Sequence, residues 1–210
     1  MKKVLGYGNL INQKIERVQF ENEFYEAFKN PQKGIVWLIY GGSGSGKSSF
    51  TMQLTKEYAK HNRTFYNPLE EGTDSSDFIE RAEILNMIDV QDTFFAQKYN
   101  YDELTEYLQK RNAPKTVVID SATYFFDNFN QYKEMCRERF KDTTFIITAH
   151  AKGKDPRSKL EEDIKFDANQ KVFVSGFLAK CQGRTIGPNG GNFIVYKEGY
   201  EKLNGVTQLL

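Results

Sequence analysis

The sequence is poor in the residues that build disulfide frameworks and zinc sites. Its 210 residues include two cysteines, Cys136 and Cys181, and two histidines, His61 and His150. The cysteines lie far from each other and from either histidine, so neither a disulfide framework nor a metal-ligand spacing is present, and a reducing, cytoplasmic setting fits best. Long apolar runs are missing as well. The most continuous, Ile35-Val36-Trp37-Leu38-Ile39-Tyr40, falls far short of the roughly 20 residues that cross a bilayer, which argues against a membrane protein. Lys2 and Lys3 are followed by no sustained apolar stretch and no small-residue cleavage site, so secretion is not expected. Nor is there an excess of one charge: Lys plus Arg number 29 and Asp plus Glu 28, for a net charge of +1. No global field would hold a polyanion, and any nucleic-acid contact must be local.

What the chain does have is aromatic mass, with 17 Phe and 12 Tyr among 39% hydrophobic and 27% charged residues and a mean hydropathy of −0.63. This composition argues for a soluble globule with an aromatic-rich core and against disorder. The length suits one domain that buries roughly 70% of its unfolded surface. A single unit over 1–210 is expected, with a leading helical segment at 1–33 and a core at 34–210.

Periodicity gives the order of elements. Ile15, Val18, Phe20, Phe24, Tyr25 and Phe28 recur near helical spacing until Asn30-Pro31, which predicts an amphipathic leading helix. Ile35 to Tyr40 reads as a central strand buried on both faces. Phe50, Leu54 and Tyr58 then resume a helical period, and Arg63 to Asn67 supplies a second strand. Further helices are predicted over Ser75 to Leu85, from Tyr101 to about Asn112, and over Phe129 to Phe140. Strands are predicted at Thr93 to Ala96, Thr116 to Ile119 and Thr144 to Thr148. The charged stretch His150 to Asp163 is expected to be a loop, and Lys171 to Phe177 with Phe193 to Tyr196 a closing hairpin. Such alternation implies an α/β three-layer sandwich with a mainly parallel central sheet.

Directly after the first buried strand stands Gly41-Gly42-Ser43-Gly44-Ser45-Gly46-Lys47-Ser48-Ser49, which satisfies G-x-x-x-x-G-K-[ST]. Glycines let backbone N–H groups turn inward around phosphate oxygens, and the helix that follows adds unpaired amides and a positive dipole end. Lys47 can neutralise the β- and γ-phosphates, and the Ser48 hydroxyl can ligate Mg²⁺; Ser49 is one residue out of register. Asp120 closes the Thr116 to Ile119 strand, where open parallel sheets present their ligands, and a carboxylate there can hold the same Mg²⁺ through water.

With these residues in place, the sequence resembles the RecA superfamily of P-loop ATPases, and within it the RadA-like and replicative-helicase-like cores. The resemblance covers approximately Gly34 to Ile147. Phe65-Tyr66-Asn67-Pro68-Leu69-Glu70-Glu71-Gly72 and the following Arg81-Ala82-Glu83 look like the RadA segment in which a second strand ends in a Glu pair, and Asp120-Ser121 looks like its Walker B Asp-Ser. The resemblance implies a sheet in which an inserted strand separates the Walker A and Walker B strands. It also implies ATP as ligand, with Glu70 orienting and deprotonating the attacking water and Glu71 as the one-residue alternative. Residue 121, where many other ATPases carry this glutamate, is Ser. His150 falls where RecA-like proteins place a polar γ-phosphate sensor, and an ordinary strand-end histidine is the other reading.

The same resemblance places a single-stranded DNA contact in the loop after His150, where Lys152, Lys154, Arg157 and Lys159 cluster. Glu161-Glu162-Asp163 follow at once and offer intramolecular partners. Tyr124-Phe125-Phe126 could stack bases, although clustered aromatics after a strand more often fill a core. Lys180 and Arg184 resemble the cations that RadA-like and helicase-like subunits insert into a neighbour's ATP site, which implies a homo-oligomeric ring or filament. The functional expectation is a Mg²⁺-dependent ATPase acting on DNA in recombination, repair or replication. A nucleotide-gated assembly or DNA-packaging subunit and a small-molecule phosphotransferase are the alternatives.

Overall fold

The computed structural model describes residues 4–205. A short helix α1 (Tyr7–Ile11) and α2 (Asn22–Phe28) precede β1 (Val36–Gly41), α3 (Lys47–Ala59) and β2 (Thr64–Pro68). Helix α4 (Ser76–Ile84) leads through a 3₁₀ turn at Met87–Val90 to β3 (Phe94–Ala96), then α5 (Tyr101–Leu108) and β4 (Thr116–Asp120). Next come α6 (Ala122–Phe125), α7 (Phe129–Lys133), a π-helical turn at Glu134–Arg139 and β5 (Thr144–Lys152). The chain closes with β6 (Asp155–Pro156), α8 (Lys159–Asp167), β7 (Gln170–Ser175), β8 (Leu178–Cys181), β9 (Asn192–Ile194) and α9 (Lys197–Asn204).

The strands form one sheet in the order β3-β2-β4-β5-β1-β7-β8-β9, with β6 paired to β5 alone. Pairing from β3 through β7 is parallel, and β7-β8-β9 is an antiparallel edge. Each strand of a parallel sheet presents alternate residues to its two faces, and β1 makes the consequence plain. Trp37 and Ile39 enter one core with Phe28 of α2 and Phe50, Leu54 and Tyr58 of α3. Val36, Leu38 and Tyr40 enter the other with Leu104 of α5, Phe125 of α6, Tyr132 of α7 and Ile164 of α8. The architecture is therefore the α/β three-layer sandwich that the alternation implied, and β5 is the strand inserted between β1 and β4. No described helix is long and apolar enough to cross a membrane.

Several local expectations are corrected. Residues 15 to 21 are not helical: Arg17 bridges Gln32 in antiparallel fashion, and the Val18 N–H donates to the Pro31 carbonyl at 2.9 Å. Val18 and Phe20 are buried while Gln19 between them is exposed, a period of two that the chance spacing of Ile15 and Val18 concealed. The stretch 150–163 is not a loop. Strand β5 runs on to Lys152, turns at Gly153-Lys154 and pairs back with Asp155–Pro156, after which α8 begins. The charges are tolerated because this ribbon extends past the end of β4, where its side chains face solvent. Lys159 is consequently a helix residue, bonded to Asp163 at 2.7 Å. Finally, β7 turns at Gly176-Phe177 into β8, a strand rich in residues of low β propensity whose pairing partners override that preference.

Candidate active site

The glycine-rich turn joins β1 to α3, and two of its glycines have specific steric duties. A Cβ on Gly41 would lie 2.3 Å from the Val174 carbonyl oxygen on β7, so only glycine lets these strands approach here. Gly46 enters α3 at φ +95°, a left-handed conformation that other residues avoid. The turn walls a cleft of about 500 Å³ whose floor is Gly42 to Ser49 and whose rim is Glu70, Glu71, Arg81, His150 and Phe177. Lys47 is only 7% exposed, and its ammonium has no hydrogen bond or ion pair among the described residues.

The two candidate glutamates have different surroundings. Glu71 is held bidentately by Arg81, at 2.8 and 3.0 Å, a planar fork that fixes both its oxygens. Burial lowers the Arg81 guanidinium pKa, but the hydrogen bond and charge of Glu71 more than offset this and leave it above its ordinary value. Glu70 instead faces His150, with Oε2 3.2 Å from Nε2. The backbone sets this meeting: β2 pairs with β4 up to Pro68 opposite Asp120, the Glu70 N–H then donates to the Asp120 carbonyl at 3.0 Å, and His150 lies opposite Gly41 across β1 and β5.

Asp120 is 4% exposed and sits behind the cleft rather than on its wall. Its Oδ2 accepts from the Tyr66 hydroxyl at 2.8 Å and its Oδ1 from Thr148 Oγ1. Burial, then the Asp120 charge and the hydrogen bond to it, push the Tyr66 phenol well above its ordinary value, so it stays a donor. The peptide between Asp120 and Ser121 is cis.

Residues 33–163 match the AAA domain family AAA_24. The chain belongs to that family. No curated protein sequence matches it. Among solved structures, it is similar to the flagellar accessory protein FlaH of Methanocaldococcus jannaschii, with a TM-score of 0.62 and 14% identity over 85% of this chain and 91% of that one. It is also similar to a KaiC-like protein of Pyrococcus horikoshii, with a TM-score of 0.52 and 18% identity over 84% of this chain and 97% of the other. With the motif and strand order above, this AAA_24 member has a P-loop and a RecA-like arrangement of its central sheet.

The residues of this AAA_24 cleft suit a polyphosphate and a hard cation. The Lys47 ammonium has no partner at the cleft, and the Ser45 hydroxyl is buried without a hydrogen bond among the described residues, a cost that an anion or acceptor would relieve. The Ser48 hydroxyl and Asp120 carboxylate are both oxygen donors, the kind Mg²⁺ takes.

The other sequence candidates lie outside the cleft. Lys152, Lys154 and Arg157 are exposed on the β5–β6 ribbon and have no acidic side-chain partner among the described residues, because Asp155 pairs with Lys165 and Asp163 with Lys159. Tyr124 is exposed, while Phe125 and Phe126 are core residues. Lys180 and Arg184 are exposed and do not line the cleft of their own chain. Cys136 and Cys181 are free and buried. Sequence reasoning missed Tyr66, Thr148 and Arg81 as partners of the site's carboxylates. Only Arg81 had a legible signal, its place in the Arg81-Ala82-Glu83 stretch that follows the acidic pair.

Proposed function

We propose that this chain is a Mg²⁺-dependent ATPase that acts on single-stranded DNA as a homo-oligomeric ring or filament, in recombination, repair or replication. The observation that carries the hydrolytic reading is the contrast between Glu70, which meets His150 Nε2 at 3.2 Å on the cleft wall, and Glu71, which Arg81 ties up.

In this reading the amides of Gly42 to Ser49 and the Lys47 ammonium bind the β- and γ-phosphates. Ser48 and Asp120 are the residues that would hold Mg²⁺. When bound, the cation neutralises charge on the phosphate oxygens. Glu70 orients a water molecule toward the γ-phosphorus and takes its proton as the new P–O bond forms. The bond from the γ-phosphorus to the bridging oxygen breaks, and ADP and inorganic phosphate leave. His150 Nε2 faces Glu70 at 3.2 Å in this cleft, and donation from it to a γ-phosphate oxygen once the triphosphate is present would make it the sensor. Support for the DNA partner comes from the three unpaired ribbon cations and the RecA-like resemblance. Lys180 and Arg184 are the candidates for completing a neighbour's site, where a cation would stabilise charge on the transferring phosphoryl group.

Release of phosphate from ATP, measured with and without oligothymidylate, tests the whole. Lys47→Ala should abolish nucleotide binding. Glu70→Gln should bind ATP within about twofold of wild type and lose about 100-fold or more in kcat, the usual yield of a general base. Wild-type turnover in Glu70→Gln with an inactive Glu71→Gln would move the role by one residue. A phosphate transfer that ignores DNA and requires a small acceptor would replace the ATPase reading with a phosphotransferase.

A further inference from the structure

Glu161 is 1% exposed and has no cationic partner among the described residues, yet its two oxygens join three segments of chain. Oε1 accepts from the His150 backbone N–H at 3.2 Å and from Thr123 Oγ1 of α6 at 2.8 Å, and Oε2 accepts from the Ser158 N–H at 3.0 Å. The reason lies in the sheet. The Thr144 N–H bonds the Lys115 carbonyl on the β4 side and the Phe145 N–H bonds Ile35 on the β1 side, so even-numbered amides of β5 point toward β4. Strand β4 ends at Asp120, one step too soon to receive the amide of His150. Glu161 supplies the missing acceptor. The other backbone group of His150 is also held, because its carbonyl accepts from the Arg157 N–H at 2.8 Å, at the far side of the basic ribbon.

We propose that Glu161 is a positioning residue: it takes the place of the absent strand at His150 and thereby couples the phosphate cleft to the basic ribbon Lys152–Arg157. This inference rests on the nucleotide-binding reading above. A change at the His150 side chain is transmitted to its backbone, whose N–H and C=O are tied to the start of α8 and to the ribbon's returning strand. The carboxylate also holds Thr123, two residues after Ser121, so the segment following Asp120 belongs to the same unit. A neutral amide at position 161 has the same shape but turns an N–H₂ toward donors, which breaks part of the junction without opening a cavity.

Amide hydrogen exchange on the full chain, with and without the slowly hydrolysed analogue adenosine 5′-thiotriphosphate plus Mg²⁺, reads this coupling directly. In the wild type the analogue should slow exchange both in residues 42–49 and, by about tenfold, in residues 150–157. Glu161→Gln should keep the first effect and reduce the second to under about twofold, while kcat falls about tenfold and the KM for ATP stays within about twofold. Ser158→Ala separates this from simple helix capping. It removes the hydroxyl that accepts from the Glu161 N–H but leaves the bonds to His150 and Thr123, and ribbon protection should persist. Should Glu161→Gln not fold, Thr123→Val, which deletes only one donor to Oε1, should cut ribbon protection at least about threefold. Equal ribbon protection in Glu161→Gln and wild type, or equal loss in Ser158→Ala and Glu161→Gln, overturns the proposal. So does a wild type in which only residues 42–49 respond. A wild type in which neither segment responds overturns the nucleotide reading itself.

Discussion

Asp120 is where a single residue carries two obligations. Its carboxylate is almost wholly buried, a state tolerable only because Tyr66 and Thr148 donate to it. Those hydroxyls also orient its remaining lone pairs, so the stability of the sheet's centre and the proposed role of Asp120 toward Mg²⁺ rest on the same atoms. Tyr66→Phe removes a hydrogen bond to a charged acceptor and leaves the ring packing unchanged. It should cost about 1.5–3 kcal/mol in urea denaturation. A variant as stable as wild type would mean that Asp120 finds its hydrogen bonds elsewhere. Glu70 and Glu71 make the complementary point, since two adjacent carboxylates differ in reach because only one has a guanidinium fork across from it.

At the scale of elements, the β5–β6 ribbon departs most from sequence expectation. A turn at Gly153, with φ +69°, lets the chain return at once. The ribbon therefore displays Lys152, Lys154 and Arg157 on a short paired projection, not an irregular loop. Asp155 and Asp163 are engaged with Lys165 and Lys159, and the three ribbon cations have no ion-pair partner among the described residues in a chain of net charge +1. If it binds single-stranded DNA, replacing all three cations by alanine should make the plot of log affinity against log salt shallower by up to about 2, since each phosphate neutralised on a single strand contributes about 0.7. Filter binding or anisotropy over a salt series measures this, and an unchanged slope would move the contact to another surface. The capping box Ser158-x-x-Glu161 starts α8 and so fixes where the ribbon must end.

For the molecule as a whole, two aromatic-rich cores flank one sheet, and burial extends to groups that would otherwise react. Burial pushes the thiols of Cys136 and Cys181 up, that of Cys136 furthest, and the thiolate is the reactive form. Iodoacetamide near neutral pH should therefore leave both unmodified until urea unfolds the chain, as intact-mass measurement would record; rapid labelling of the native protein would contradict this packing. The sequence by itself determined the phosphate-binding turn, the buried β1 that launches it, the alternation that makes a parallel sheet, and Asp120 at a strand end, because each is written in contiguous residues through spacing or period. Only the tertiary structure decided which glutamate is free to meet His150, what holds Asp120, and why Glu161 is buried without a cation. Those relations depend on strand order and register, which bring residues 28 to 80 positions apart within hydrogen-bonding distance, as Thr148 with Asp120 and His150 with Glu70 demonstrate. The periodicity of a segment records which way its side chains point, but not what stands opposite them.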